Sequence, residues 1–180
     1  MLPILVPYRS MSSPQHAVIL VGHGGIPTDF PYDQVVRLKR LEAQRRASGG
    51  PPSTEEQDLD TRLRRWPRTP DNDPYRAGFE RLAARLRPLL KSAAFALAYN
   101  EFCAPTLEEA VEDVIEGGAM HITILSSMLT PGGSHAEVEI PGTIRQLQAT
   151  YPHITLRYAW PFDLDLVAGL LAEHVRQFNG

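Results

Sequence analysis

The chain has 180 residues, of which 43% are hydrophobic and 22% are charged, a composition typical of a globular domain. Its net charge of −3 and its pI of about 6.1 give no overall attraction to nucleic acids or to an anionic membrane. A single cysteine, Cys103, excludes an intrachain disulfide and a thiolate metal cluster, so we expect a protein of the reducing cytoplasm.

The beginning of the chain is apolar, but it is short and interrupted by prolines. This pattern is atypical of a signal peptide, and the segment is far too short to span a bilayer. We therefore predict a loosely attached N-terminal arm over residues 1–15 and a single domain over residues 16–180.

Four short apolar runs predict β-strands, and longer helical patterns lie between them. The strands are predicted at 16–21, 93–99, 121–125 and 154–158, and the helices at 75–90, 105–117, 137–150 and 164–178. The first three runs are apolar on both faces, as in parallel strands that helices cover. This alternation predicts an α/β fold with a doubly wound, mainly parallel four-stranded sheet flanked by helices.

One segment, at about residues 33–74, does not fit this alternation. Helical patterns at 33–47 and 55–66 flank a Gly-Gly-Pro-Pro turn, which predicts a helical insertion after the first strand. Residues 37–91, which include most of this insertion and the predicted helix after it, are basic, because they hold 14 of the 18 Lys and Arg residues against 8 acids.

A histidine or a glutamate follows each of the first three strands. His23 follows the first strand, Glu101 the second, and His135 stands at the end of the loop after the third. Because ligands bind outside the carboxyl ends of the strands in an open parallel sheet, we expect these side chains to meet at one edge.

Neutral imidazoles and a carboxylate are ligands that suit divalent Zn, Co, Ni or Fe. Three such ligands leave open positions on the ion, as a catalytic or metal-transferring site needs. Glu101 could instead be a base or have a structural role. We interpret Cys103 as inert packing, and the other four histidines as structural: His16, His121, His153 and His174.

Three motifs around these residues resemble the class II tetrapyrrole chelatases, and within them the CbiX group of sirohydrochlorin cobaltochelatases and ferrochelatases. The motifs are Val21-Gly22-His23-Gly24, Tyr99-Asn100-Glu101, and Leu129-Thr130-Pro131-Gly132-Gly133-Ser134-His135 with Glu139-Ile140-Pro141. The resemblance covers residues 16–32 and about 75–178. Gly25, Glu139 and the basic insertion depart from the usual pattern of that group.

The resemblance implies a lyase-type chelatase that inserts a divalent ion (Co, Ni or Fe) into sirohydrochlorin or a related tetrapyrrole, in cobalamin or siroheme biosynthesis. The metal is then a substrate, and no permanent cofactor is implied. His23 and His135 would bind the metal, Glu101 would assist, and the chain would form a homodimer. We expect substrate contacts at four neighbouring positions: Gly24, Asn100, Gly133 and Ser134.

For the insertion, three interpretations remain open: a lid that pairs with the carboxylates of the substrate, a solvated hairpin with internal charge pairs, or a dimer contact. The first would use the arginines of the segment, which are Arg37, Arg40, Arg45, Arg46, Arg62, Arg64, Arg65 and Arg68.

Other functional classes lack their motifs. A serine hydrolase would need a Gly-x-Ser-x-Gly elbow, and a phosphate-binding loop would need a Gly-Lys-Ser/Thr sequence. A histidine phosphatase would need an arginine just before the glycine-flanked His23. The basic segment is poor in aromatic residues and interleaved with acids, which is a weak signature of nucleic-acid binding. The remaining alternative is a non-catalytic carrier of metal or tetrapyrrole on the same scaffold.

Overall fold

The computed structural model describes residues 15–90 and 94–178. Apart from Gln15, the predicted N-terminal arm lies outside the described residues. Among the helices described, none combines the length and apolarity that crossing a bilayer requires.

The sheet has four parallel strands in the order β2-β1-β3-β4. The strands are β1 (His16–Gly22), β2 (Ala94–Tyr99), β3 (His121–Ser126) and β4 (Thr155–Tyr158). The order reverses at β1, so the next strands along the chain pair on opposite sides of it. The predicted α/β fold with a parallel four-stranded sheet is confirmed.

Six α-helices connect the strands or follow them. They are α1 (Tyr32–Ser48), α2 (Thr54–Arg64), α3 (Pro74–Leu86), α4 (Leu107–Glu116), α5 (Ile140–Thr150) and α6 (Leu164–Arg176). Helix α3 ends at Leu86, two residues before Pro88. This agrees with the expectation for Pro88, because a proline disfavours helical backbone at the residue that precedes it. Helix α5 starts at Ile140, and a π-helical turn, His135–Glu139, precedes it.

Helices cover both faces of the sheet. One face packs Ile19, Val21 and Ile124 against α4 and α5 in a buried apolar cluster. The other packs Leu20 and Tyr99 of the strands against α3. Two covered faces explain why the strands are apolar throughout rather than alternating.

The predicted insertion corresponds to α1 and α2, which form a separate small core. Phe30, Val35, Leu38 and Leu63 are buried together there, and Phe102 from the loop after β2 packs against them. The hairpin is therefore attached to the loop that follows β2, and its assignment as an insertion into one domain stays a prediction.

Helix α6 differs from the other five helices, because none of its side chains is buried. It nevertheless carries a series of exposed apolar side chains, Leu164, Leu166, Leu170, Leu171 and Val175. The chain thus presents an apolar helical surface to its surroundings.

Candidate metal centre

The three strand-end residues meet at one edge of the sheet. His23 directly follows β1, Glu101 lies two residues after β2, and His135 begins the π-helical turn after β3. One ligand atom from each lies within 4.8 Å of the others, and all three residues are half-buried. The parallel sheet brings together residues that are far apart in sequence.

Backbone hydrogen bonds join the loop after β1 to the loop after β2. The Asn100 N–H donates to the Gly22 carbonyl at 2.9 Å, and the Glu101 N–H donates to the His23 carbonyl at 2.8 Å. Gly24 has a φ of 99°, and a Cβ on it would overlap the carbonyl oxygen of Glu101. Glycine is therefore required for the loops to approach this closely.

The imidazole of His23 is oriented by its own loop. Its Nδ1 lies 2.8 Å from the Gly24 carbonyl, so Nδ1 carries the proton and donates. Its Nε2 keeps a lone pair and lies 3.8 Å from Oε2 of Glu101. The hydroxyl of Tyr75, on α3, accepts a hydrogen bond from the His23 backbone N–H at 2.7 Å and fixes the loop from the other side.

His135 is oriented by Glu139, one turn further along the chain. Oε2 of Glu139 lies 2.9 Å from Nδ1 of His135 and 2.9 Å from the amide nitrogen of Asn100. The amide nitrogen of Asn100 also lies 2.9 Å from Nδ1 of His135. An ionised carboxylate only accepts hydrogen bonds, so in the tautomer that pairs with Glu139, Nδ1 of His135 donates and Nε2 is left to bind a ligand.

The carboxylate of Glu139 stays ionised in this arrangement. Partial burial would raise its pKa, but the hydrogen bonds from Asn100 and His135, together with the charges of His135 and Arg46, outweigh burial and bring the pKa below its ordinary value. A carboxylate behind a histidine fixes the ring tautomer and makes the opposite nitrogen a better metal ligand.

The types of these donors suit a first-row divalent ion. Two ligands bonded to one ion at about 2.1 Å lie roughly 3–4 Å apart. The 3.8 Å between His23 and Glu101 falls in that range, and the trio as a whole, within 4.8 Å, closes slightly to share one ion. Two imidazoles and a carboxylate leave at least one position of the ion open.

The predicted substrate-contact residues lie around this trio. Gly24 is buried beneath it, Asn100 is half-buried, and Gly133 and Ser134 are exposed just before His135. Their contact with a substrate stays a prediction.

The sequence interpretation missed the roles of Tyr75 and Glu139. For Glu139, its position four residues after His135 was a usable signal, because residues at this spacing are neighbours on a helix.

Most arginines of residues 33–74, called here the α1–α2 segment, form ion pairs with acids of the same chain. Arg68 is the clearest case, since its side chain is 1% exposed and pairs with Asp73. The guanidinium also donates to the carbonyls of Gly25, Leu63 and Phe102. Arg68 therefore joins the loops after β1 and β2 from the inside and is not part of a lid.

Cys103 lies near the trio but is fully buried. Burial raises the pKa of its thiol, which keeps the sulfur protonated and a poor metal ligand. This agrees with the interpretation of Cys103 as packing.

Comparisons with known proteins give the family. The CbiX family model matches residues 71–177, a region that contains Glu101 and His135 but not His23. A segment of 84 residues is 31% identical to the sirohydrochlorin ferrochelatase of Priestia megaterium, covering 46% of this chain and 31% of that protein. A segment of 69 residues is 29% identical to the sirohydrochlorin ferrochelatase of Bacillus subtilis (strain 168), covering 38% and 26%.

The matched segments span less than a third of these curated relatives. Over the whole fold, the chain is similar to the crystal structure of a putative cobalamin (vitamin B12) biosynthesis CbiX protein from Marinobacter aquaeolei VT8. The TM-score is 0.55 at 20% identity, covering 91% of this chain and 96% of that one. Since the family model matches more than half of the 180 residues, the chain belongs to the CbiX family.

Proposed function

We propose that this chain is a lyase-type chelatase that inserts Co²⁺, Ni²⁺ or Fe²⁺ into sirohydrochlorin or a related tetrapyrrole. The observation that carries the proposal is the trio itself: one ring nitrogen from each of His23 and His135 and one carboxylate oxygen of Glu101 lie within 4.8 Å of one another. Two curated relatives are named sirohydrochlorin ferrochelatase, which supports this substrate. Depending on the metal, the product would serve siroheme or cobalamin biosynthesis, and the single cysteine favours the cytoplasm.

The residues of the trio would have distinct roles. His23 and His135 hold the incoming ion as neutral ligands, and the open positions of the ion face the macrocycle. Insertion of the divalent ion releases two pyrrole protons. Glu101, 3.8 Å from His23, would accept one as the metal leaves it, and an imidazole that has given up the ion would accept the other. The protein contributes positioning and partial exclusion of water rather than covalent chemistry.

A metallation assay tests the function directly. The purified chain is mixed with sirohydrochlorin and each of the three metals in turn, and the absorption spectrum is followed against a reaction without protein. We expect acceleration with at least one metal. Tight binding of the metal or the tetrapyrrole without acceleration by any metal would instead establish the carrier function.

We expect Glu139→Gln to weaken binding of Co²⁺ by about 10- to 100-fold, because the amide cannot hold the Nδ1 proton of His135 as a carboxylate does. The measurement is calorimetric titration with Co²⁺. Glu108→Gln, an exposed acid on α4, is the matched control and should bind like the wild type. A Glu139→Gln protein with wild-type affinity would contradict the role of Glu139 in orienting His135.

We also propose that the chain acts as a homodimer. It carries both parts of a self-complementary contact, namely the exposed apolar side chains of α6 and two open apolar grooves. One groove, of about 520 Å³, is lined by residues such as Pro141, Trp160 and Phe162. The other, of about 490 Å³, lies between α3 and Met128 and is also lined by His23. An apolar surface that is reciprocated on the same molecule is typical of a twofold interface.

Leu171→Glu, in the middle of α6, is expected to convert the dimer into a monomer, because it places a charge in the apolar contact. Light scattering after size-exclusion chromatography gives the molecular mass. Leu89→Glu changes another exposed leucine, outside α6, and should leave the dimer intact. A wild-type chain that is monomeric at all accessible concentrations would rule out the dimer.

A further inference from the structure

The basic side chains of the α1–α2 segment fall into two groups. Members of the larger group each have an acidic partner on the same chain: Arg37 with Glu55, Arg45 with Glu56, Arg64 with Asp60, Arg65 with Glu109, and Arg68 with Asp73. Their charges are compensated by the fold itself, which leaves the remaining cations as candidates for binding a ligand.

Two of the remaining cations, Lys39 and Arg46, lie seven residues apart on α1 and so share one face of the helix. Both are exposed, and within residues 15–90 and 94–178 neither takes part in an ion pair. Together with Glu42 and Ala43 they line a groove of about 470 Å³, whose opposite wall is Glu101 and Phe102. The groove therefore adjoins the metal centre through Glu101.

Phe102 forms an aromatic surface between the cations and the histidines. Its ring lies 6.2 Å from the ring of His23, and the Lys39 ammonium lies 5.3 Å from its centroid. The φ of Phe102 is 58°, an uncommon value for a bulky residue. Arg68 holds this backbone by donating to the Phe102 carbonyl, and such strain is commonly kept at binding sites.

We propose that this groove binds the carboxylate-bearing periphery of the tetrapyrrole, with Lys39 and Arg46 pairing with its carboxylates and Phe102 lying against the flat macrocycle. The inference rests on the proposed chelatase function, and it assigns the α1 insertion a part in substrate recognition. A ligand whose centre lies at the trio would extend its acidic edge over Glu101 into the groove that both cations line.

The two acids of the groove, Glu42 and Glu101, oppose an anionic ligand. A divalent ion held by Glu101 compensates for the charge of that carboxylate. Arg46 also acts on the site at longer range, since its charge helps to lower the pKa of Glu139. With the ion bound, the groove therefore favours an anionic group.

The test compares substrate binding with metal binding. Wild type, the double variant Lys39→Ala/Arg46→Ala, and Arg40→Ala are titrated with metal-free sirohydrochlorin at low and high salt. Each titration is run without metal and again with Co²⁺ bound to the protein, and stopped-flow absorbance reads binding before insertion. Arg40 is the matched control, because it is an exposed cation on the same helix that does not line the groove. Calorimetric titration with Co²⁺ reports separately on the trio.

We expect the double variant to raise the Kd for sirohydrochlorin roughly tenfold at low salt, as loss of two exposed ion pairs implies. It should also flatten the salt dependence of binding and leave the Kd for Co²⁺ unchanged. Arg40→Ala should resemble the wild type in all three measurements.

An unchanged Kd for sirohydrochlorin in the double variant, or an equal loss in Arg40→Ala, would overturn the assignment of the groove. A wild-type chain that still accelerates metallation in that case would keep the chelatase function. If wild type neither binds sirohydrochlorin nor accelerates metallation, the proposed function fails and this inference fails with it.

Discussion

His135→Ala is expected to lower the rate of metal insertion by at least about 100-fold. Loss of a residue that only hydrogen-bonds to a metal ligand lowers metal affinity or activity by about 10- to 100-fold, and loss of the ligand itself should have a larger effect. The variant removes one of the two imidazoles that have a ring nitrogen within 4.8 Å of a Glu101 oxygen, and it leaves the carboxylate of Glu139 without its histidine partner. His23→Ala should have an effect of similar size. The rate is measured from the absorption change of sirohydrochlorin with the metal that gives the fastest wild-type reaction.

His153→Ala is the control, since His153 is exposed in the turn before β4, away from the strand ends that carry the trio. It should metallate at the wild-type rate. Calorimetry with Co²⁺ should show weakened metal binding in His23→Ala and His135→Ala alone. Wild-type rates and affinities in both variants would show that the trio is not the metal centre.

The sheet and the proximity of the trio could be predicted because they depend on rules that act along the chain. Strands apolar on both faces predict a covered parallel sheet, and the carboxyl ends of parallel strands meet at one edge. His23, Glu101 and His135 each stand just beyond a strand or in the loop that follows it, so no knowledge of side-chain packing was needed to place them together.

The contacts that orient the trio could not be predicted in this way. Tyr75 is 52 residues from His23, and Arg68 is 34 residues from the Phe102 carbonyl that it holds. Such contacts depend on how α1, α2 and α3 pack onto the loops, which periodicity does not specify. For the same reason, sequence alone could not separate Lys39 and Arg46, which line the groove beside Glu101, from the arginines that the fold pairs with acids.

The second large effect is expected from Arg68→Met, which should lower the free energy of unfolding by about 3–5 kcal/mol, as breaking a buried ion pair from one side does. The side chains of Arg68 and Asp73 are each 1% exposed. Methionine keeps much of the volume but leaves the Asp73 carboxylate buried without its cation. The carbonyls of Gly25, Leu63 and Phe102 lose a donor as well.

Urea denaturation followed by circular dichroism measures the loss, with Arg65→Met as the control. Arg65 pairs with Glu109 at the surface, where their side chains are 69% and 40% exposed, and such a pair contributes at most about 1 kcal/mol. An Arg68→Met loss no larger than that of Arg65→Met would show that the buried pair does not hold the segment. With the expected loss, the loops that carry His23 and Glu101 depend on Arg68, which follows α2. The insertion is then a structural part of the metal centre as well as one wall of the groove.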